Sequence, residues 1–247
     1  MNFTLFKMML KKNWTLIIGF TSFILLELVV CIFMFEDIAG MNILGIGGDE
    51  ILSFTSSLLP IIGVMFPMAF YVFMVFRLIY KPVDSTSLSS HLSAGMKRTT
   101  YLTTAAVFIL TSLLTIFFIV FIVCGGSMLY WGSINWGTWL YVVFSVFMAN
   151  LSIAFVSFFF AACFGSSGIG KIGMVMVPAL LLVFTMMSSY IDMFRYISVF
   201  MWIEITSLTV AAGNFNLWWM WDLIYLVIAL VCFIASYFIF KRKQLAI

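Results

Sequence analysis

RLIYKPVDSTSLSSHLSAGMKRTTY, residues 77–101, is the longest polar interruption in a chain that is otherwise almost entirely apolar. Cations stand at both of its ends, Arg77 and Lys81 on one side and Lys97 and Arg98 on the other, and serine and threonine residues fill the middle. Long apolar runs without charge flank it. This pattern predicts a hydrated loop that contains a short helix and lies between two membrane spans. We expect another protein to contact this loop.

The composition places the chain in the membrane class. Hydrophobic residues make up 65% of the 247 residues and charged residues only 9%, unlike a soluble globular protein. The length suffices for six helices of about 20 residues each. We therefore predict an all-α integral membrane protein that forms a single transmembrane domain over residues 1–247. The six predicted spans are residues 14–35, 51–80, 101–124, 138–164, 172–190 and 219–240.

Three segments outside the predicted spans are rich in polar residues. Residues 1–13 predict an amphipathic interfacial helix on the cytoplasmic leaflet, with a frayed basic tail as the alternative. Residues 81–100 form the cytoplasmic loop between spans two and three. Residues 191–215 predict a re-entrant segment that dips in from the outer side, because they are short, polar and include Arg195 and Glu204. A seventh crossing there would place the basic carboxyl terminus outside, against the positive-inside rule.

The charges support this topology and its orientation. With six spans, eleven of the twelve Lys and Arg residues fall on one side and only Arg195 falls on the other. The acids show the opposite bias, and Asp84 is the single acid on the basic side. Because Lys and Arg are enriched in cytoplasmic loops, both termini are predicted to be cytoplasmic.

Motifs for catalysis, metal binding or nucleotide binding are weak or absent. Residues 165–171, GSSGIGK, fit most of a phosphate-binding loop, but Ile172 lacks the hydroxyl that would hold magnesium, and both flanks are predicted spans. A tight glycine-rich turn is the favoured interpretation. His91 is the only histidine, and the four cysteines fall in separate spans. We expect no metal site, no cofactor, no catalytic residues and no nucleic-acid partner.

Glu27 is the polar residue inside a predicted span that most needs an explanation. A carboxylate at the centre of a membrane helix costs about 2.5–3.5 kcal/mol on insertion scales, so it should face protein or water. It is a candidate for a translocation path or for a contact between helices. Alternatively, the span shifts and places Glu27 near the outer surface. Three prolines also lie inside predicted spans, and each removes one backbone N–H donor from its helix: Pro60, Pro67 and Pro178.

The layout resembles the type 2 ABC transporter permeases, the small six-span membrane subunits of bacterial exporters whose ATPase is a separate chain. The likeness lies in the amphipathic start, in the loop sequence DSTSLSSHLS at residues 84–93 followed by a basic pair, in the outer re-entrant segment, and in the ending FKRKQL at residues 240–245. It covers the whole chain as a layout. The chain departs from the family pattern at residues 94–98, where AGMKR replaces the frequent Pro-Ile-Ser before the arginine.

The resemblance implies a function and a set of partners. Two permease subunits, identical or sister chains, would pair in the bacterial cell membrane, with an ATPase subunit docked beneath each one. ATP and magnesium would bind the ATPase, so this chain would not itself be an enzyme. Its cargo would be hydrophobic or amphipathic, such as an antimicrobial or toxin-like peptide or a lipid-like molecule, as in exporters of peptides, bacteriocins and phenol-soluble modulins. The coupling residues implied are Asp84, Ser85, Leu88, His91, Leu92, Lys97 and Arg98.

Two other functions stay open. An ATP-independent secondary transporter or channel would need internal repeats and intramembrane ions, for which Glu27 is the candidate. A membrane enzyme or an assembly anchor would need a recognisable constellation of catalytic or binding residues.

Overall fold

The structure is a computed structural model, and it describes residues 2–34, 51–84, 97–130, 135–165, 167–188, 191 and 218–242. Every regular element in these residues is helical, so the all-α class is confirmed. The elements are α1 Phe3–Phe33, α2 Ile51–Val75, a π-helical turn Phe76–Tyr80, α3 Lys81–Asp84, α4 Arg98–Met128, α5 Trp136–Phe164, α6 Gly168–Ser188 and α7 Trp218–Arg242.

Several of these helices can cross a bilayer, in agreement with a multi-pass membrane protein. Five stretches of the described chain are long and apolar enough, namely Phe3–Phe33, Ile62–Val83, Arg98–Met128, Trp136–Phe164 and Trp219–Arg242. The fifth predicted span, residues 172–190, corresponds to a shorter apolar helix, Gly168–Phe184. The described residues thus provide five candidate spans and one shorter apolar helix where the sequence predicts six spans. Of the predicted re-entrant segment only Ile191 is described, and residues 85–96 of the polar loop lie outside the described ranges.

Helix α1 differs from the predicted arrangement of an interfacial helix followed by a span. The helix begins at the N-cap Asn2, whose Oδ1 accepts the backbone N–H of Leu5 at 3.2 Å, and it continues without a break for 31 residues, about 46 Å. The backbone N–H of Asn2 also donates to Thr104 Oγ1 on α4 at 3.0 Å. Because this contact and the buried Leu5 hold the first turn against the bundle, α1 remains one helix.

Ring contacts define the directions of the helices. Phe6 and Phe33, near the two ends of α1, contact Phe108 in α4 and Tyr130 two residues after the end of α4, so α1 and α4 run parallel. Helix α7 runs parallel to α5, since the rings of Phe155 and Phe233 lie 5.9 Å apart and Ser145 bonds Asp222 nearer the start of both helices.

One end of the bundle, named here the basic end, is formed by the starts of α1, α4 and α6 and by the ends of α3, α5 and α7. Of the twelve Lys and Arg residues, Arg195 and Lys243 lie outside the described ranges, and the other ten are all at this end. They are Lys7, Lys11, Lys12, Arg77, Lys81, Lys97, Arg98, Lys171, Lys241 and Arg242. The predicted gathering of cations on one side of the bundle is therefore present in the structure.

Helix α5 is the centre of the bundle. Its seven consecutive residues 149–155 are all buried, and the helix packs against α2, α4, α6 and α7. A helix with buried side chains on every face must be surrounded by protein. Alanines such as Ala149, Ala154 and Ala161 let the neighbouring helices approach closely.

The turn between α5 and α6 is tight and depends on glycine. The backbone N–H and the Oγ of Ser167 both donate to Phe164 O at 2.8 Å. A Cβ at Gly170 would overlap Phe164 O, and one at Gly173 would overlap the ring of Phe160. Gly165 and Ser167 thus lie between two packed helices, residues 168–171 are the first turn of α6, and a helix precedes this segment where a phosphate-binding loop has a strand.

Candidate functional site

A π-helical turn lies directly before the polar loop. Residues Phe76–Tyr80 depart from the α-helical hydrogen-bond pattern between α2 and α3. The rings of Phe76 and Tyr80 stack, with centroids 5.3 Å apart and planes inclined by 15°. Short π-helical turns inside longer helices are rare and occur frequently at functional sites.

A tyrosine joins the two flanks of the polar loop. The phenol of Tyr101, near the start of α4, donates to the backbone oxygen of Leu78 in the π-helical turn at 2.7 Å. Tyr101 is only 4% exposed, so the hydrogen bond is shielded from water. Because Leu78 precedes the loop and Tyr101 follows it, this bond holds the ends of α2 and α4 together.

The end of α5 completes this arrangement. Val83 in α3 is buried, and a Cβ at Gly165 would lie 3.3 Å from Val83 Cγ1, so α3 packs closely against the residue that ends α5. The π-helical turn, Val83, Tyr101 and Gly165 are named here the loop base. It connects the polar loop to three helices at the basic end of the bundle.

The predicted coupling residues fall into two groups. Asp84 is the last residue of α3, Lys97 is exposed just before α4, and Arg98 is the half-buried first residue of α4. These three border the loop base and lie at the basic end, where exposed cations can meet an acidic partner surface or anionic lipid headgroups. Ser85, Leu88, His91 and Leu92 lie outside the described residues, as do Arg195 and Glu204 of the predicted re-entrant segment.

A buried acid lies near the opposite end of the bundle. Asp222 is 7% exposed, and its Oδ2 accepts a hydrogen bond from Ser145 Oγ on α5 at 3.1 Å. Its other oxygen, Oδ1, is buried and has no hydrogen-bond partner among the residues that the structure describes. The charge pattern assigns Asp222 to the outer surface, whereas the structure places it between α5 and α7. The signal available in the sequence was its position inside the predicted span 219–240.

A second buried polar contact compensates for a proline. The Nδ2 of Asn150, which is fully buried on α5, donates to Gly63 O and to Val146 O, both at 2.8 Å. Pro67 stands four positions after Gly63 and has no N–H, so it cannot supply the usual helical donor to Gly63 O. A side chain from α5 therefore satisfies the carbonyl that the proline leaves free on α2.

Glu27 is not joined to these groups. It lies on α1, six positions before the last residue Phe33, at a depth of roughly 9 Å from that end of the helix. Its side chain is half-exposed, and no hydrogen bond connects it to another described residue. Helix α1 packs against α2 and α4, whereas Asp222 lies between α5 and α7.

The described residues contain no candidate metal site. They contain no group of three or more His, Cys, Asp and Glu side chains placed to hold a metal ion. The four cysteines lie on four different helices, α1, α4, α5 and α7. Comparison of the chain with protein-family models, with curated proteins and with solved structures returned no match.

Proposed function

We propose that this chain is the membrane-spanning subunit of an ATP-driven exporter, similar in layout to the type 2 ABC permeases. The observation that carries the proposal is the loop base. A polar loop at the basic end is attached through the π-helical turn to α2, through Tyr101 to α4 and through Val83 to α5. A partner that pulls or pushes on the loop would therefore move three helices together.

The proposed mechanism uses a separate ATPase as the source of motion. The ATPase binds ATP and magnesium and contacts residues 81–100, with Asp84, Lys97 and Arg98 at the borders of its footprint. Closure of two ATPase subunits on ATP favours one orientation of the loop, and the loop base transmits this preference to the helices. A ligand shifts such an equilibrium only through its different affinities for the two states.

The orientation and the cargo follow from the same proposal. Positive-inside bias puts the basic end and both termini in the cytoplasm of a bacterial cell. A second permease subunit, identical or a sister chain, would pair with this one. The cargo would be a hydrophobic or amphipathic peptide, or a lipid-like molecule, that moves out of the cell as the helices reorient.

The loop can be tested by co-purification from the native membrane. Replacing residues 85–92 by glycine and serine, or Asp84→Lys, should reduce the amount of co-purified ATPase at least about tenfold, because the contact surface is lost. Lys171→Glu is the control, since Lys171 is exposed at the basic end in the first turn of α6 and is not part of residues 81–100. Loop variants that keep both the ATPase and wild-type transport would overturn the proposal.

One observation favours a second candidate, the ATP-independent transporter. Asp222 is a buried acid inside a helix that can span the membrane, and intramembrane acids commonly line ion and proton routes in such carriers. Liposomes that contain only this protein distinguish the two. Efflux of cargo driven by a proton gradient without nucleotide would support the carrier, and an absolute requirement for the ATPase would support the exporter.

A further inference from the structure

We propose that Asp222, together with Ser145, Tyr141 and Tyr225, forms an intramembrane binding site for the ammonium group of a cationic ligand. The site would be reached from the end of the bundle opposite the basic end. The inference does not depend on an ATPase partner, and it goes beyond the proposed function by assigning a charge to the ligand.

The carboxyl group of Asp222 is only partly hydrogen-bonded. Asp222 is more than nine-tenths buried, and within the described residues its hydrogen bonds come from a single hydroxyl, that of Ser145. A serine hydroxyl is one neutral donor, and it reaches Oδ2 while Oδ1 remains without a partner. A carboxyl group removed from water stays ionised only beside a counter-charge and otherwise takes up a proton, because desolvation of the charge costs several kcal/mol. A bound cation would supply both the charge and the missing donor.

The second step is the aromatic surroundings of the carboxyl group. Tyr225 follows Asp222 by three positions on α7, and Tyr141 precedes Ser145 by four positions on α5, so each lies on the helix face that carries the polar pair. Both tyrosines are close enough to interact electrostatically with Asp222. Aromatic faces attract cations, and rings combined with a carboxylate are well suited to ammonium groups.

The third step is access. Asp222 stands four positions after Trp218, the first residue of α7, so it lies about 6 Å along the helix from the end opposite the basic end. All ten described cations are at the basic end, and none of them competes for Asp222. Tyr225 is buried, whereas Tyr141 is half-exposed, so a ligand would approach from the side of Tyr141.

The test is ligand binding to the purified full-length protein in nanodiscs. Octylammonium and a lysine-containing amphipathic peptide are the cationic probes, and octanol and the same peptide with glutamine in place of lysine are the neutral controls. The wild type should bind the cationic member of each pair at least about tenfold more tightly. Binding of octylammonium indicates a site for free amines, and binding of the peptide alone indicates a site for a peptide side chain.

Variants assign the binding to Asp222. Asp222→Asn has nearly the same shape without the charge, and it should remove the preference for the cationic probe. Ser145→Ala should weaken binding of that probe by a smaller factor. Ser152→Ala is the matched control, because Ser152 is buried two turns further along α5 and bonds Ala149 O of its own helix at 2.8 Å. It should bind like the wild type.

One result would overturn the inference: equal affinity of the wild type for the cationic and neutral probes, which is independent of whether Asp222→Asn folds. If Arg195→Gln then acquired a preference for the cationic probes, the chain's own arginine would occupy Asp222. A preference for the cationic probes without any contribution from an ATPase would support the site even if the exporter proposal failed.

Discussion

A proline inside a membrane helix leaves a carbonyl oxygen without its donor, and Asn150 supplies that donor here. The amide of Asn150 bridges its own helix and α2 by bonding Val146 O and Gly63 O. Asn150 Oδ1 and Asp222 Oδ1 are both buried without a hydrogen-bond partner among the described residues, but Asp222 carries an acidic group whose only described hydrogen bond comes from the neutral hydroxyl of Ser145. We infer that the first contact stabilises the bundle, whereas the second leaves a position for a ligand.

Asn150→Leu should destabilise the bundle while keeping its volume close to that of the wild type. The change removes both hydrogen bonds and leaves Gly63 O unpaired in the interior. We expect the free energy of unfolding to fall by about 0.6–1.7 kcal/mol, the range measured for hydrogen bonds between membrane helices. Titration with a denaturing detergent, followed by tryptophan fluorescence, measures it. Ser152→Ala, which loses only a bond within α5, is the control, and an unchanged midpoint for Asn150→Leu would contradict this role.

The element that distinguishes the structure from a simple bundle is the helix before the polar loop. The sequence predicts a span that ends at Tyr80, whereas the chain remains helical to Asp84 and changes to a π-helical turn at Phe76–Tyr80. The altered hydrogen-bond pattern coincides with the bond from Tyr101 to Leu78 O. The turn and the tyrosine together connect the start of the loop to α4.

Tyr101→Phe should loosen the loop base without unfolding the bundle. A buried hydrogen bond contributes about 0.5–1.5 kcal/mol, so amide hydrogen exchange in residues 76–84 should become faster by about twofold to tenfold. Exchange in α5 and α7 should stay as in the wild type.

Tyr237→Phe is the matched control for this measurement. Tyr237 is half-buried on α7 towards the basic end, and its hydroxyl makes no hydrogen bond within the described residues. If Tyr101→Phe and Tyr237→Phe leave the exchange of residues 76–84 equally unchanged, the tyrosine does not hold the loop base.

At the scale of the whole molecule, we expect the charge asymmetry to set the orientation in the membrane. Helices α1, α4 and α6 start at the basic end, and α3, α5 and α7 finish there, so Asn2 and Arg242 lie at the same end of the bundle. Because the cations are gathered at one end, the membrane potential acts on all of them in the same direction, and the positive-inside rule predicts a single orientation for the whole bundle. The exposed apolar faces of α1, α6 and α7 are then available to lipid or to a second subunit.

Cysteine labelling tests the orientation in intact cells. In a variant whose four native cysteines are replaced, Tyr130→Cys should react with a membrane-impermeant maleimide from outside, because Tyr130 is 75% exposed at the end opposite the basic end. Lys97→Cys and Lys241→Cys should react only after permeabilisation. The reverse pattern would place the polar loop outside the cell and remove the proposed ATPase contact. Reaction of Lys97→Cys and Lys241→Cys on different sides would contradict the helix directions.

The sequence by itself determined the class of the protein and its polarity. Apolar runs long enough for membrane helices, the cations around residues 77–101 and the glycines of the α5–α6 turn are all local features. Hydrophobicity and charge act at the position where they occur along the chain, so no knowledge of helix neighbours is needed to interpret them.

Only the tertiary structure decided which polar groups meet. The continuity of α1, the burial of Asp222 and the bonds from Asn150 to Gly63 and from Tyr101 to Leu78 each depend on the faces that two distant segments turn towards each other. An apolar helix in this chain is hydrophobic around its whole circumference, so its sequence does not distinguish the face that meets protein from the face that meets lipid. Packing alone makes that distinction, because a buried hydrogen bond forms only where two particular helix faces come into contact.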